Sequence, residues 1–138
     1  MKVELISKLS DVHKNDWNNL NNYNHPFTSY DFLNSLEVSK SVHSSTGWNP
    51  QHIIIKNKNQ EIIGVSPNYL KMHSYGEYIF DQSWANAFEN AGGQYYPKLI
   101  CAIPFTPATG PRIMINPENT DHENIFELII KTYELIVR

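Results

Sequence analysis

One cysteine, Cys101, occurs among 138 residues, so no intrachain disulfide can form and a reducing compartment is the natural expectation. No run approaches the roughly 20 consecutive apolar residues of a membrane span, and the opening Met1-Lys2-Val3-Glu4 lacks the apolar core and small-residue cleavage site of a leader. A soluble, cytoplasmic protein is expected. Charge of one sign is scarce too: eleven Lys and Arg against fourteen Asp and Glu give a net charge of −3, and neither sign is bunched, which speaks against a nucleic-acid arm or a DNA-binding face. The six histidines show no paired ligand spacing, so no metal is expected. No Gly-x-Ser-x-Gly occurs, which sets a nucleophile-elbow hydrolase aside.

What is present suits one globular domain, since 41% hydrophobic and 18% charged residues supply a real core. Weak alternation predicts a first strand over 2–9. A helix follows, capped by Ser10 or Asp11, with Val12, Trp17 and Leu20 on one face; His25-Pro26 breaks the chain. Thr28 or Ser29 caps a second helix running to about Val38 on a Phe32, Leu33 and Leu36 stripe. Residues 39–50 read as a loop, with Trp48 as a packing anchor. His52 to Lys56 and Glu61 to Ser66 predict an antiparallel hairpin about the turn Asn57 to Gln60. Its second strand should continue past Pro67, at a bulge or edge, as Tyr69 to His73. Tyr78 to Phe80 reads as a final extended piece. A helix over about 82–91 should stop at Gly92-Gly93. Lys98 to Pro104 predicts a central apolar strand, and Arg112 to Ile115 a short one. Thr120-Asp121-His122-Glu123 matches a capping box opening a last helix. The expected fold is a mixed α/β domain of α+β type.

The densest chemistry lies between Leu70 and Arg112. On an unbroken strand His73, Tyr75 and Glu77 would share one face at period two, setting a base, an acid and a carboxylate side by side. A bulge at Gly76 would break that alternation, and catalysis, substrate contact and a structural network all stay open for the trio. Asp81 suits a helix cap or proton transfer, and Trp84 suits core or an aromatic wall. Tyr95, Tyr96 and Lys98 around Pro97 suit a sugar or peptide ligand, or simple burial of Tyr96. Thr106, Thr109 and Arg112 flank a proline-stiffened loop, where Arg112 either anchors a carboxylate or phosphate or holds the loop. Cys101, in an apolar run, reads as a small hydrophobe.

The runs YLKMHSYGEYIFDQSWANAFENAG and YYPKLICAIPFTPATGPR, with HPFTSYDFLNSLEVSKSV and TGWNPQHIII upstream, resemble the FemAB-like peptidoglycan biosynthesis/recognition family, a branch of the GNAT acyltransferase superfamily. The resemblance implies a GNAT-like, mostly antiparallel sheet flanked by helices, and acyl or aminoacyl transfer to an amine of a small-molecule or peptidoglycan-precursor-like acceptor. It implies acyl-CoA or aminoacyl-tRNA as donor. The alternative is a non-catalytic recognition module or inactive remnant. GNAT enzymes hold acyl-CoA on a loop of the type Gln/Arg-x-x-Gly-x-Gly/Ala before a helix, and this sequence has none, so no cofactor bound by this chain is expected. Members of the family carry a second GNAT-like half, so the chain is expected to be the amino-terminal half and silent alone. In the last helix, Ile125 to Val137, apolar residues occupy more than one stripe, which predicts cover by a carboxy-terminal half or by a homodimer.

Overall fold

Three consecutive isoleucines, Ile53, Ile54 and Ile55, are each fully buried, and a strand can bury such a run only if both of its faces are covered. The computed structural model, which describes residues 1–21, 24–77 and 81–138, shows how. In chain order it contains β1 (Lys2–Ile6), α1 (Lys14–Asn18), α2 (Tyr30–Val38), β2 (Trp48–Pro50), β3 (His52–Lys56), β4 (Ile62–Ser66), β5 (Tyr69–Lys71), α3 (Gln82–Asn90), β6 (Lys98–Ile100), β7 (Met114–Ile115) and α4 (His122–Ile136). A four-stranded sheet has the order β1-β3-β4-β7 and a three-stranded sheet the order β2-β5-β6, each pairing antiparallel. The fold is α+β and consistent with a GNAT-like domain.

The period of two assigns the isoleucines to opposite layers. Ile54 joins Leu9, Val12, Trp17, Leu20 and Leu33 beneath α1 and α2, whereas Ile53 and Ile55 pack with Ile125 and Ile129 of α4. Helix α4 approaches closely because β4 has Gly64 at the crossing: a Cβ there would lie 2.7 Å from Ile125 Cγ2. Ser29 caps α2 by accepting from the Phe32 N–H, and His13 caps α1. The last helix has no capping box. Its N-cap position is Asp121, without a side-chain cap, and the Asp121 N–H is given to Asn119 Oδ1 at 2.8 Å. Phe126 and Leu135 of α4 are exposed, the apolar surplus its sequence predicts.

The long hairpin differs from its predicted form in an instructive way. Pro50 lies opposite Tyr69 and Ile53 opposite Ser66, three residues apart on both strands, so one register runs from Pro50 to Ile55 and shifts only at Lys56, which lies opposite Ile62. Yet the ladder changes sheets. Pro67 has no N–H to give, the Gln51 N–H reaches the Asn68 carbonyl at 2.8 Å, and β5 leaves for the second sheet. The expected single bulged strand is therefore two strands, and the second ends at Lys71 rather than at 73. The strand predicted as central over 98–104 is also corrected: only Lys98–Ile100 is extended, at the edge of the smaller sheet. Its apolar character serves packing of Ile100 on Val42, Trp48 and Tyr69, while Pro104, Pro107 and Pro111 prevent a longer ladder. The extended piece expected at 78–80 lies outside the described residues.

Candidate functional site

The backbone from 72 to 77 is bends and turn, with Gly76 at φ +78°, a conformation that favours glycine. A Cβ there would also meet the Phe105 ring at 2.6 Å. His73, Tyr75 and Glu77 accordingly share no strand face. His73 Nδ1 accepts from the Tyr75 N–H at 3.1 Å, so its Nε2–H donates to the Thr46 carbonyl at 2.8 Å and the ring is fully engaged. Tyr75 points outward, 74% exposed, and Glu77 inward.

The turn instead brings Glu77 between two lysines. Lys71 closes β5 with a fully buried side chain, its Nζ 2.9 Å from Glu77 Oε2 and 3.8 Å from the centroid of the Trp48 ring. Glu77 Oε1 accepts from Lys98 Nζ at 2.6 Å, and the same ammonium donates to Asp81 Oδ2 at 2.6 Å and to Ser74 Oγ at 3.0 Å. Tyr95 donates its hydroxyl to Asp81 Oδ2 at 2.6 Å, and the Ser74 and Tyr96 hydroxyls are 2.5 Å apart. Two cations thus meet two anions. Asp81 occupies the N-cap position of α3 but makes no side-chain cap there, its Oδ2 being turned to Lys98. Its Oδ1 is buried without a hydrogen-bond partner among the described residues.

These contacts set the protonation chemistry. Burial pushes the Asp81 carboxyl up, but hydrogen bonds from Lys98, Tyr95 and Ser74 outweigh it and hold the group at about 2. Burial pulls Lys98 down, and Asp81 and Glu77 more than reverse that, leaving its ammonium above the usual range. Lys71 is held below the usual lysine range by burial, which Glu77 only partly offsets. Asp81 raises the Tyr95 phenol by accepting its hydrogen bond. Asp81, Lys98 and Tyr95 are thereby moved away from neutrality and make poor proton shuttles, because general acid–base catalysis works best near the operating pH.

Beside the cluster opens a cleft of about 740 Å³, walled by Phe88, Tyr95, Tyr96, Leu70 and Leu99 with Lys98 at its edge. The aromatic wall is continuous: Phe88 meets Tyr95 edge-on at 6.2 Å and Tyr95 meets Tyr96 at 5.0 Å. Of the residues singled out from sequence, Glu77, Asp81, Tyr95 and Lys98 come together here. Trp84 stands 74% exposed on α3. Thr106 donates to the Pro104 carbonyl, and Arg112 donates to the Ala108 and Gly110 carbonyls at 2.8 and 3.1 Å, holding its own loop. Sequence reasoning missed Lys71 and Ser74, of which only Lys71 carried a signal, as the lone cation in an otherwise buried strand.

The FemAB-like family, described as peptidoglycan biosynthesis/recognition, matches residues 8–138. The chain belongs to this family. No curated protein and no solved structure matches it. Within the family match lie both the charge cluster and the aromatic cleft. No helix among the described residues is long and apolar enough to cross a membrane.

Proposed function

We propose that this chain is the acceptor-recognising part of a Fem/GNAT-type N-acyl- or aminoacyltransferase, its acceptor being an amine of a cell-wall-precursor-like molecule held in the aromatic cleft. The observation that carries this reading is the meeting of the Phe88-Tyr95-Tyr96 wall with an ammonium, Lys98, clamped between Glu77 and Asp81. Aromatic faces suit the apolar faces of sugars and peptides, and Lys98, its three N–H groups spent on Glu77, Asp81 and Ser74, stiffens the segment that carries the wall, so that little freedom is lost on binding. In such a transfer the protein chiefly positions the amine against an activated acyl carbon. Acyl-CoA or aminoacyl-tRNA is the donor that the family suggests, and no Gly-rich pyrophosphate loop occurs in this sequence.

A second reading, recognition without catalysis, is favoured by one observation: His73, Glu77 and Asp81 are each already engaged by protein partners. Two measurements separate the readings. Calorimetry with stem-peptide and aminosugar fragments should show binding that Phe88→Ala weakens, and transfer of label from acyl-CoA or aminoacyl-tRNA to the same fragments should be absent for this chain alone. Turnover would establish the transferase reading in this chain itself; an absence of any fragment binding would remove both readings.

A further inference from the structure

A second cavity, on the far side of the hairpin break, carries a charge the protein leaves unbalanced. Its origin is Pro67. With the ladder interrupted there, the Asn68 N–H turns to His52 Nδ1 at 3.2 Å. A nitrogen that accepts an N–H holds no proton, so His52 is the neutral Nε2–H tautomer. That Nε2–H donates to Glu37 Oε2 at 2.9 Å, while Glu37 Oε1 accepts from the Leu9 N–H at 2.9 Å. Both Glu37 oxygens therefore act as acceptors, and the residue is a carboxylate hydrogen-bonded by two neutral donors. Its side chain is only 11% exposed, and among the described residues no Lys or Arg pairs with it. Burial first and the Glu37 charge second push the phenols of Tyr30 and Tyr69 above their ordinary range.

Glu37 lines a cavity of about 400 Å³ together with Ser7, Asn34, Val42 and Asn49, and Lys8 stands among the lining residues. The Lys8 ammonium has no ion-pair partner among the described residues. We propose that this cavity binds a small zwitterion, an amino carboxylate whose ammonium pairs with Glu37 and whose carboxylate reaches Lys8. The Glu37 end is shielded, its side chain only 11% exposed, so water screens an ion pair made to it less than one made at the exposed Lys8, and the volume suits a molecule of amino-acid to dipeptide size. The inference concerns a different cavity from the aromatic cleft and is independent of the acceptor reading.

The test uses the whole chain and the series glycine, β-alanine and 4-aminobutyrate, with ethylamine and propionate as single-charge probes, followed by NMR of the His52 ring and the Leu9 amide. One member of the zwitterion series should bind at least tenfold more tightly than either single-charge probe, with saturable shifts at His52 and Leu9. Glu37→Gln should abolish binding, and Lys8→Ala should bring the best zwitterion down to the affinity of ethylamine. Should Glu37→Gln fail to fold, Asn34→Trp fills the cavity from a partly exposed helix position and must remove the shifts while preserving the circular dichroism spectrum. Propionate binding as well as the zwitterions, no saturable shift with any probe, or unaltered affinity in Asn34→Trp would overturn the proposal.

Discussion

Two carboxylate sites in this chain, one buried and one half-buried, are built on opposite plans. Around Glu77 the protein supplies its own counterions, Lys71 and Lys98, and a second anion, Asp81, to balance them. Around Glu37 the donors among the described residues are neutral, a histidine N–H and a backbone N–H. The contrast teaches that proximity to a cationic residue type is a poor guide to charge balance: His52 lies as near to Glu37 as Lys71 does to Glu77, 2.9 Å in both cases, yet only the lysine brings a charge. A matched cluster is architecture that holds Ser74, Glu77 and Asp81 against β6. An unmatched carboxylate keeps an unfilled electrostatic demand.

The largest expected effect breaks the matched side. Glu77→Ala strands the fully buried Lys71 ammonium and removes one of the two anions on Lys98, so it should cost about 3–5 kcal/mol, the range for breaking a buried pair from one side. Urea unfolding at neutral pH checks this; a cost below about 1 kcal/mol would mean that water reaches the cluster and that the balance argument is unsound. Glu37→Ala is the matching test on the other side. It leaves the Leu9 N–H and the His52 Nε2–H without acceptors, at about 1–3 kcal/mol for an unsatisfied buried group, but also removes an uncompensated anion. Its cost should therefore be the smaller of the two. A reversed ranking would mean that Glu37 is charge-paired after all.

How far these sites were legible in the sequence follows the same division. The hairpin, the α2 stripe and the Ser29 cap announce themselves through period and residue type, because each rests on local rules. The first helix, expected from a Ser10 or Asp11 cap, is only Lys14–Asn18 with His13 as its cap, and Val12 and Leu20 lie outside it. The ladder's switch of sheets does not announce itself, although Pro67 marks the place: a missing N–H says where pairing fails, not where the strand goes next. In the site, Glu77, Asp81, Tyr95 and Lys98 were within reach because they crowd one stretch of sequence, whereas the His73-Tyr75-Glu77 face dissolved once Gly76 took a left-handed conformation. Glu37 and His52 were invisible as a pair. They are fifteen residues apart on a helix and a strand, and what makes them interesting is a tautomer set by a third backbone group.

Acid gives a third, smaller test. Asp81 lies at about 2 in the folded protein against an ordinary 3.8, so the proton binds the unfolded chain more readily. The sign follows: Asp81 contributes stability that is fully present above pH 4 and is lost as the pH falls toward 2, on the order of 1–2 kcal/mol. Unfolding free energies measured between pH 5 and 2 should fall less steeply for Asp81→Asn than for the native chain. Parallel curves would show that Lys98 and Tyr95 do not hold the carboxylate as the geometry says.

The smallest expected effect isolates burial from distance. Lys14 Nζ lies 2.7 Å from Asp31 Oδ2, closer than Lys71 lies to Glu77, but its two side chains are 50% and 70% exposed. Water solvates both ions whether or not they touch, and the flexible lysine loses rotamer freedom to make the contact. A double-mutant cycle through Lys14→Ala and Asp31→Ala should therefore return a coupling of about 0.2–1 kcal/mol, falling further in high salt as the pair is screened. The cycle matters because the shorter contact is the weaker one by this reasoning. A coupling near that of the buried pair would mean that distance, not desolvation, ranks the charges of this chain, and the unbalanced carboxylate at Glu37 would lose its special standing with it.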